Sequence, residues 1–144
     1  MDERDFWTLI GLVDRDVLTE DEDEAVEPLI NALAKLPPSD IAGFEEHLAQ
    51  RLYSLDGRRY AAEAGESSGS DDAFLYARCF VIAQGEAHYR RVLADATLMP
   101  KSLDQWCEPL LDVSRIAYEG ATGKPAEFET TVSYETGSNR AQWE

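Results

Sequence analysis

Five residues have types and spacing that suit chemistry: Asp71, Asp72, Tyr76, Arg78 and Glu119. Two carboxylates held together out of water share a proton and do acid–base work. An arginine inside an apolar run needs carboxylate or carbonyl partners, and these acids are the candidates. Together they define a structural or ligand cluster, and in the enzyme reading a hydrolase-like Asp/Arg site. Two features weaken the enzyme reading. Neighbours on a helix point about 100° apart, so Asp71 and Asp72 do not converge unaided. No Ser or Cys nucleophile has a His signal beside it, and no His-rich metal set occurs. No catalytic residue, cofactor or metal is therefore assigned.

The element that must position this cluster is the stretch Ser70–Gly85. Ser70 can cap a helix, and Asp71 and Asp72 fall in its first turn, where the dipole favours negative charge. Phe74, Tyr76, Cys79, Phe80, Val81 and Ile82 leave almost no polar face, which predicts a helix buried on most sides. Arg78 is the exception within it. Gly85 suits a left-handed stop.

The surrounding chain reads as helices that cover this one. Asp5 can cap a first helix burying Phe6, Trp7, Leu9, Ile10 and Val13. Thr19 and Glu22 have capping-box spacing. They precede a stripe of Val26, Leu29, Ile30, Leu33 and Leu36 that Pro28 should kink or delay. Pro37-Pro38 ends that helix, and Ser39 caps a third with Ile41, Phe44, Leu48, Leu52 and Leu55 inward. Glu45, Glu46, Gln50 and Arg51 are expected outward. The two helices should form an antiparallel hairpin. His47, at the stripe edge, has no second ligand at metal spacing.

Arg58–Ala64 is a short helix, and Gly65–Ser70 a flexible connector. That loop lacks the GK[ST] and the preceding strand of a phosphate-binding loop. Glu86–Asp95 is a helix burying Tyr89, Val92 and Leu93. Ser102 caps a last long helix with Leu103, Trp106, Leu110, Val113 and Ala117 inward, stopped between Gly120 and Pro125. Residues 127–135 alternate, which suits one strand face or, preferably, an extended tail over the bundle. Ser138–Glu144 looks loose apart from Trp143.

The expected fold is all-α: one irregular or orthogonal bundle of about six or seven helices over residues 1–125, with an extended tail over 126–144.

The 144 residues carry 29 acids against 13 Lys and Arg, a net charge of -16. Nucleic-acid phosphates and anionic membranes both select clustered cations, so neither is expected as a partner. A basic protein is permitted. Residues 14–27 concentrate the charge, with Arg15 as the one cation among eight acids. A calcium loop needs a glycine turn between its ligands, and this segment has none. No apolar run approaches the roughly 20 residues of a membrane span. The amino terminus is acidic, unlike a signal peptide. Cys79 and Cys107 form no CxxC pair and read as free thiols, although a bond between them stays open. The expected location is the cytoplasm.

The sequence resembles a bacterial family of uncharacterised proteins, domain of unknown function 4240. Three places carry the likeness. The first is Phe6-Trp7 followed by Leu9-Ile10. The second is a glycine-bearing loop leading into an SDDxFxYFRxWLIxxG-like helix, met here by Ser70, Asp71, Asp72, Phe74, Tyr76, Arg78, Ile82 and Gly85. The third is an AYExxTG-like end at Ala117–Gly123. Ala77 and Phe80 depart from the family's Phe and Trp. The likeness covers roughly residues 1–125. It implies a helical domain with shared residues and brings no activity with it.

Three functional readings follow from the residues. The first is an acidic, non-enzymatic interaction or regulatory module. The second is an immunity or antitoxin-like protein masking a basic partner. The third is the hydrolase-like enzyme.

Overall fold

The computed structural model describes all residues 1–144. It is all-helical: α1 (Glu3–Ile10), α2 (Glu22–Leu33), α3 (Pro38–Ser54), α4 (Arg58–Ala61), α5 (Asp71–Ala83), α6 (Glu86–Ala94), α7 (Val113–Thr122) and α8 (Arg140–Trp143). Short 3-10 turns fill Gly65–Gly69, Ala96–Leu98 and Glu108–Asp112. Residues 127–135 form no strand. No helix is long and apolar enough to cross a membrane.

The central helix is α5, as its apolar circumference requires. Ser70 Oγ accepts from Ala73 N at 3.0 Å, and every residue from Ala73 to Ala83 except Tyr76 is buried. Helices α3 and α6 and the turns at 65–69 and 108–112 surround it. Gly85 has φ 102 and ψ 172, a mirror-extended conformation rather than the expected left-handed stop. The residue type is needed all the same, because L side chains rarely adopt so positive a φ; the Arg15 guanidinium, 2.6 Å from where a Cβ would be, could swing aside.

Several helix starts differ from expectation, each for a local reason. The α1 cap is Asp2, which accepts from Asp5 N at 2.8 Å, and Asp5 lies inside the helix. The α2 cap is Asp21, accepting from Glu24 N, so the Thr19–Glu22 box does not form. An N-cap needs an extended backbone three residues before its donor, and Asp21 has it. Pro28 lies well inside α2, which begins six residues earlier and is not delayed. Helix α3 starts on Pro38 with no side-chain cap, and Ser39 is already helical. Proline at the first position lacks an N–H that would otherwise need a partner.

Helices α2 and α3 do not pack as a hairpin; α7 lies between them and contacts both. That helix starts at Val113, not Ser102. Before it, residues 102–107 turn so that Cys107 N reaches Tyr76 O at 3.2 Å, and Pro109 enters a 3-10 turn. Leu103, expected inward, is 47% exposed. The supposed flexible connector at 65–70 is ordered. Trp106 Nε1 donates to the buried Ser67 Oγ at 2.9 Å, and Glu66 N to Lys101 O at 3.0 Å. Gly65, with φ +57, lets Lys101 O come within 2.6 Å of where a Cβ would be.

The last residues are not loose. Phe128 meets Tyr118 edge-on at 5.6 Å, and Trp143 meets Phe74 edge-on at 6.0 Å. The second contact seats α8 on the amino-terminal part of α5. Cys79 and Cys107 are buried free thiols.

Candidate functional site

The structure does not draw the five sequence-selected residues into one constellation. Asp71 and Asp72 are exposed at the start of α5. Tyr76, half-buried on the same helix, stacks edge-on with Trp106 at 5.3 Å. The Glu108 carboxylate beside its hydroxyl raises its pKa, with burial and Asp72 adding to the effect. Glu119 faces away from them: it accepts from Arg115 at 3.3 Å and from Ala126 N at 3.1 Å. Arg78 is 0% exposed and forms no ion pair with any of these acids. Asp71 joins it indirectly, through its backbone carbonyl.

What Arg78 does is hold three segments together. Its NH1 donates to Leu52 O of α3 at 2.9 Å, and its NH2 to Thr136 Oγ1 at 2.9 Å. Thr136 Oγ1 in turn donates to Asp71 O at 2.8 Å. The guanidinium lies over the Phe74 ring, 4.8 Å from its centroid. Burial lowers the Arg78 pKa, and the Asp56 carboxylate nearby opposes that. A cation at the carboxyl end of α3 also complements the helix dipole.

Asp56 is the second half of this clamp, and it is also fully buried. It accepts from Gly137 N at 3.0 and 3.1 Å, from Asn139 N at 3.0 Å and from Trp143 Nε1 at 2.8 Å, with Ser138 Oγ at 3.4 Å. The last carbonyls of α3, beyond the regular α-helical ladder, are also met by distant side chains. Tyr89 OH donates to Arg51 O, Arg78 to Leu52 O, Asn139 Nδ2 to Tyr53 O and Gln142 Nε2 to Ser54 O. Asp56 was not selected from the sequence. An Asp before Gly after a helix reads as a turn, and its partners lie about 80 residues on.

A different kind of buried charge stands on α3. Glu45, expected outward, is 7% exposed and lines a cavity of about 250 Å³ with Phe128, Thr130, Ser133, Tyr134 and Glu135. A signal for this was present. Ile41, Glu45, Leu48 and Leu52 follow helical spacing, so Glu45 shares the inward stripe. Its Oε1 and the Ser114 hydroxyl beside it are sealed from solvent, with no third group to partner either. Burial pushes the carboxyl up to about 7; Ser114 pulls against this and Asp112 adds to it. Tyr134 is pushed up to about 12, by burial first and by Glu45 next. This raised carboxyl borders the cavity.

A second, shallower groove of about 450 Å³ runs between α5 and the 98–105 segment, with His88 and Lys101 at its edges. Burial lowers the His88 pKa, and Arg91 adds to this. No carboxylate or thiol lines that groove. No set of three His, Cys, Asp or Glu side chains is arranged to hold a metal ion.

The acidic stretch 14–27 covers the turn after α1 and the first half of α2. Asp14, Asp16, Glu20, Asp21, Asp23, Glu24 and Glu27 are exposed, and none has an ion-pair partner. Arg15 turns away to donate to Ala83 O at 3.3 Å. Burial raises the Glu22 pKa, and the neighbouring Glu108 and Asp23 charges raise it further.

No curated protein and no solved structure matches the chain. A family model described as a protein of unknown function (DUF4240) matches residues 1–120. The segment beyond that span supplies Thr136, Asn139 and Trp143 to the clamp and every cavity-lining residue except Glu45. With the match running from α1 through most of α7, the chain belongs to the DUF4240 family.

Proposed function

We propose that this protein is a non-enzymatic, cytoplasmic interaction module whose partner is a basic protein. The observation that carries the reading is the run of seven exposed carboxylates between Asp14 and Glu27, none of them in an ion pair. Unpaired like charges repel one another and weaken the compact state. A surface rich in Lys or Arg would relieve that repulsion and be steered towards it. The sealing of Arg78 supports the same reading, because a guanidinium without access to solvent cannot grip a substrate.

The test compares the full chain with a variant carrying Glu20→Gln, Asp23→Asn, Glu24→Gln and Glu27→Gln, both used as affinity bait in an extract of the native bacterium. The expected result is a basic protein retained by the native chain, lost with the variant, and released at about 1 M salt, where screening acts over roughly 3 Å. Equal retention by both baits, or repeated captures without any basic protein, overturns the proposal.

A further inference from the structure

The groove of about 450 Å³ between α5, α6 and the 98–105 segment differs from other cavities of the molecule. Four of those, of about 250 to 500 Å³, each have a carboxylate in the wall. This groove has none, in a chain with 29 acids against 13 Lys and Arg. Its size, and its few polar groups set in an apolar wall, are those of a small-molecule site.

The floor is apolar. Phe80 and Met99 are almost fully buried yet reach the groove, and Leu98 stands 44% exposed at its rim. The polar groups around it are chiefly donors. Gln105 Oε1 accepts from Lys101 N at 3.2 Å and from Ser102 N at 3.3 Å, so its amide has only N–H groups left to offer. Lys101 Nζ donates to Glu63 O at 2.6 Å and lies 3.6 Å from the exposed Glu63 carboxylate, which is outside the groove. An ammonium has three N–H groups, and an exposed pair of this kind holds them loosely. Burial and Arg91 lower the His88 pKa, so its imidazole is neutral at pH 7 and gives one N–H. His88 is half-buried in the wall and makes no hydrogen bond within the chain. Arg15 adds a cation at the carboxyl end of α5, where it donates to Ala83 O at 3.3 Å.

We propose that this groove binds a small monocarboxylate with an aromatic body. The carboxylate accepts from Gln105, His88 and Lys101, and no acid in the wall repels it. The ring lies on Phe80 and against the Met99 thioether, both favourable partners for an aromatic, and covers Leu98. A neutral or cationic ligand of the same shape leaves the donors unmet. None of Glu20, Asp23, Glu24 and Glu27, the carboxylates neutralised in the affinity test, lines the groove. Loss of a basic partner and loss of an aromatic acid therefore report separate sites. A free aromatic acid and the carboxyl-terminal phenylalanine of a peptide offer the same chemistry.

The experiment follows the NMR signals of Gln84, His88 and residues 98–105 in the full chain at pH 7. The probes are 3-phenylpropanoate and N-acetylglycylphenylalanine, with 3-phenylpropanol, 3-phenylpropylamine and propanoate as controls. Saturable shifts are expected with the aromatic acids, at affinities at least about tenfold above every control. Tighter binding of the dipeptide identifies a peptide terminus as the source; tighter binding of 3-phenylpropanoate identifies a free acid. Lys101→Gln should weaken the acids about fivefold and leave 3-phenylpropanol unchanged, which a merely structural role for Lys101 would not do. Leu98→Ser should weaken every aromatic probe about threefold. Both positions are exposed, and circular dichroism checks that both variants keep the fold. No saturable shift with either acid, equal affinity for any control, or unchanged acid binding in either folded variant overturns the proposal.

Discussion

Arg78 and Glu45 are both charged side chains taken out of water, and the fold treats them differently. Arg78 meets a helix-end carbonyl, a threonine hydroxyl and an aromatic face, with Asp56 close by, and only its Nε lacks a partner. Asp56 in turn is ringed by four donors from the last residues. Glu45, on α3, has only the Ser114 hydroxyl beside its sealed oxygen, no cation, and an open cavity at its edge. The desolvation cost of a buried charge is offset only by partners. Where they are numerous the charge fixes tertiary structure; where they are few the group moves towards its neutral form.

The comparison breaks most readily at Arg78. Arg78→Leu removes the side-chain donor to Leu52 O, which keeps only the Leu55 N–H, and leaves Asp56 without its nearby cation. A loss of about 3–5 kcal/mol is expected in urea unfolding. A loss below about 1 kcal/mol would mean that the clamp does not depend on its cation. Asp56→Ala should cost about 3 kcal/mol, since it orphans the buried Asn139 N–H and takes the shared acceptor from the part-buried Gly137 N–H and Trp143 indole. It should also free the tail, read as fast amide exchange at residues 137–143 and a red-shifted Trp143 emission.

Glu45 sharpens the contrast through pH. Its carboxyl lies near 7 in the fold against an ordinary 4.5, so between those values the folded chain holds more protons than the unfolded one. Stability from this group therefore falls as pH rises from about 4.5 to about 7, by up to roughly 3 kcal/mol, and is level above that. Glu45→Gln should remove the falling limb, seen as a difference between the two chains' unfolding curves across this window. Carboxyls held low, at Glu3, Glu46 and Asp95, slope the other way at more acid pH and cancel in that difference. A difference curve flat through this window would mean that Glu45 is not poised.

The smallest effect is expected at an exposed pair. Arg115 is half-exposed and meets Asp112 and Glu119 at 3.5 and 3.3 Å. Arg115→Ala should change stability by less than about 0.5 kcal/mol, because solvent and salt screen such contacts. A larger loss in urea unfolding would erase the distinction between surface and buried charge drawn here.

Some of this was legible residue by residue. The apolar run from Phe74 to Ile82 has no face to give to water, so its burial, and that of Arg78 within it, follows from composition. The Ser70 cap and the inward stripe Ile41, Phe44, Leu48, Leu52 and Leu55 are equally local and are present as expected. Glu45 was legible but misread: its charge was given more weight than its spacing from Ile41 and Leu48. The partners of Arg78 were not legible. Asp71, Asp72 and Glu119 are nearer candidates by type, and nothing in the string singles out Thr136 or Asp56.

The sequence by itself determined most of the helical segments, with 102–112 and 140–143 as exceptions, most of the apolar faces, and that one guanidinium lies inside. These are matters of periodicity and capping, decided within a turn or two of chain. Only the tertiary structure decided that the tail is fastened by Asp56, that α7 separates α2 from α3, and that Glu45 borders a cavity. Each of these rests on groups brought together from distant parts of the chain, and their meeting depends on how all the helices pack at once.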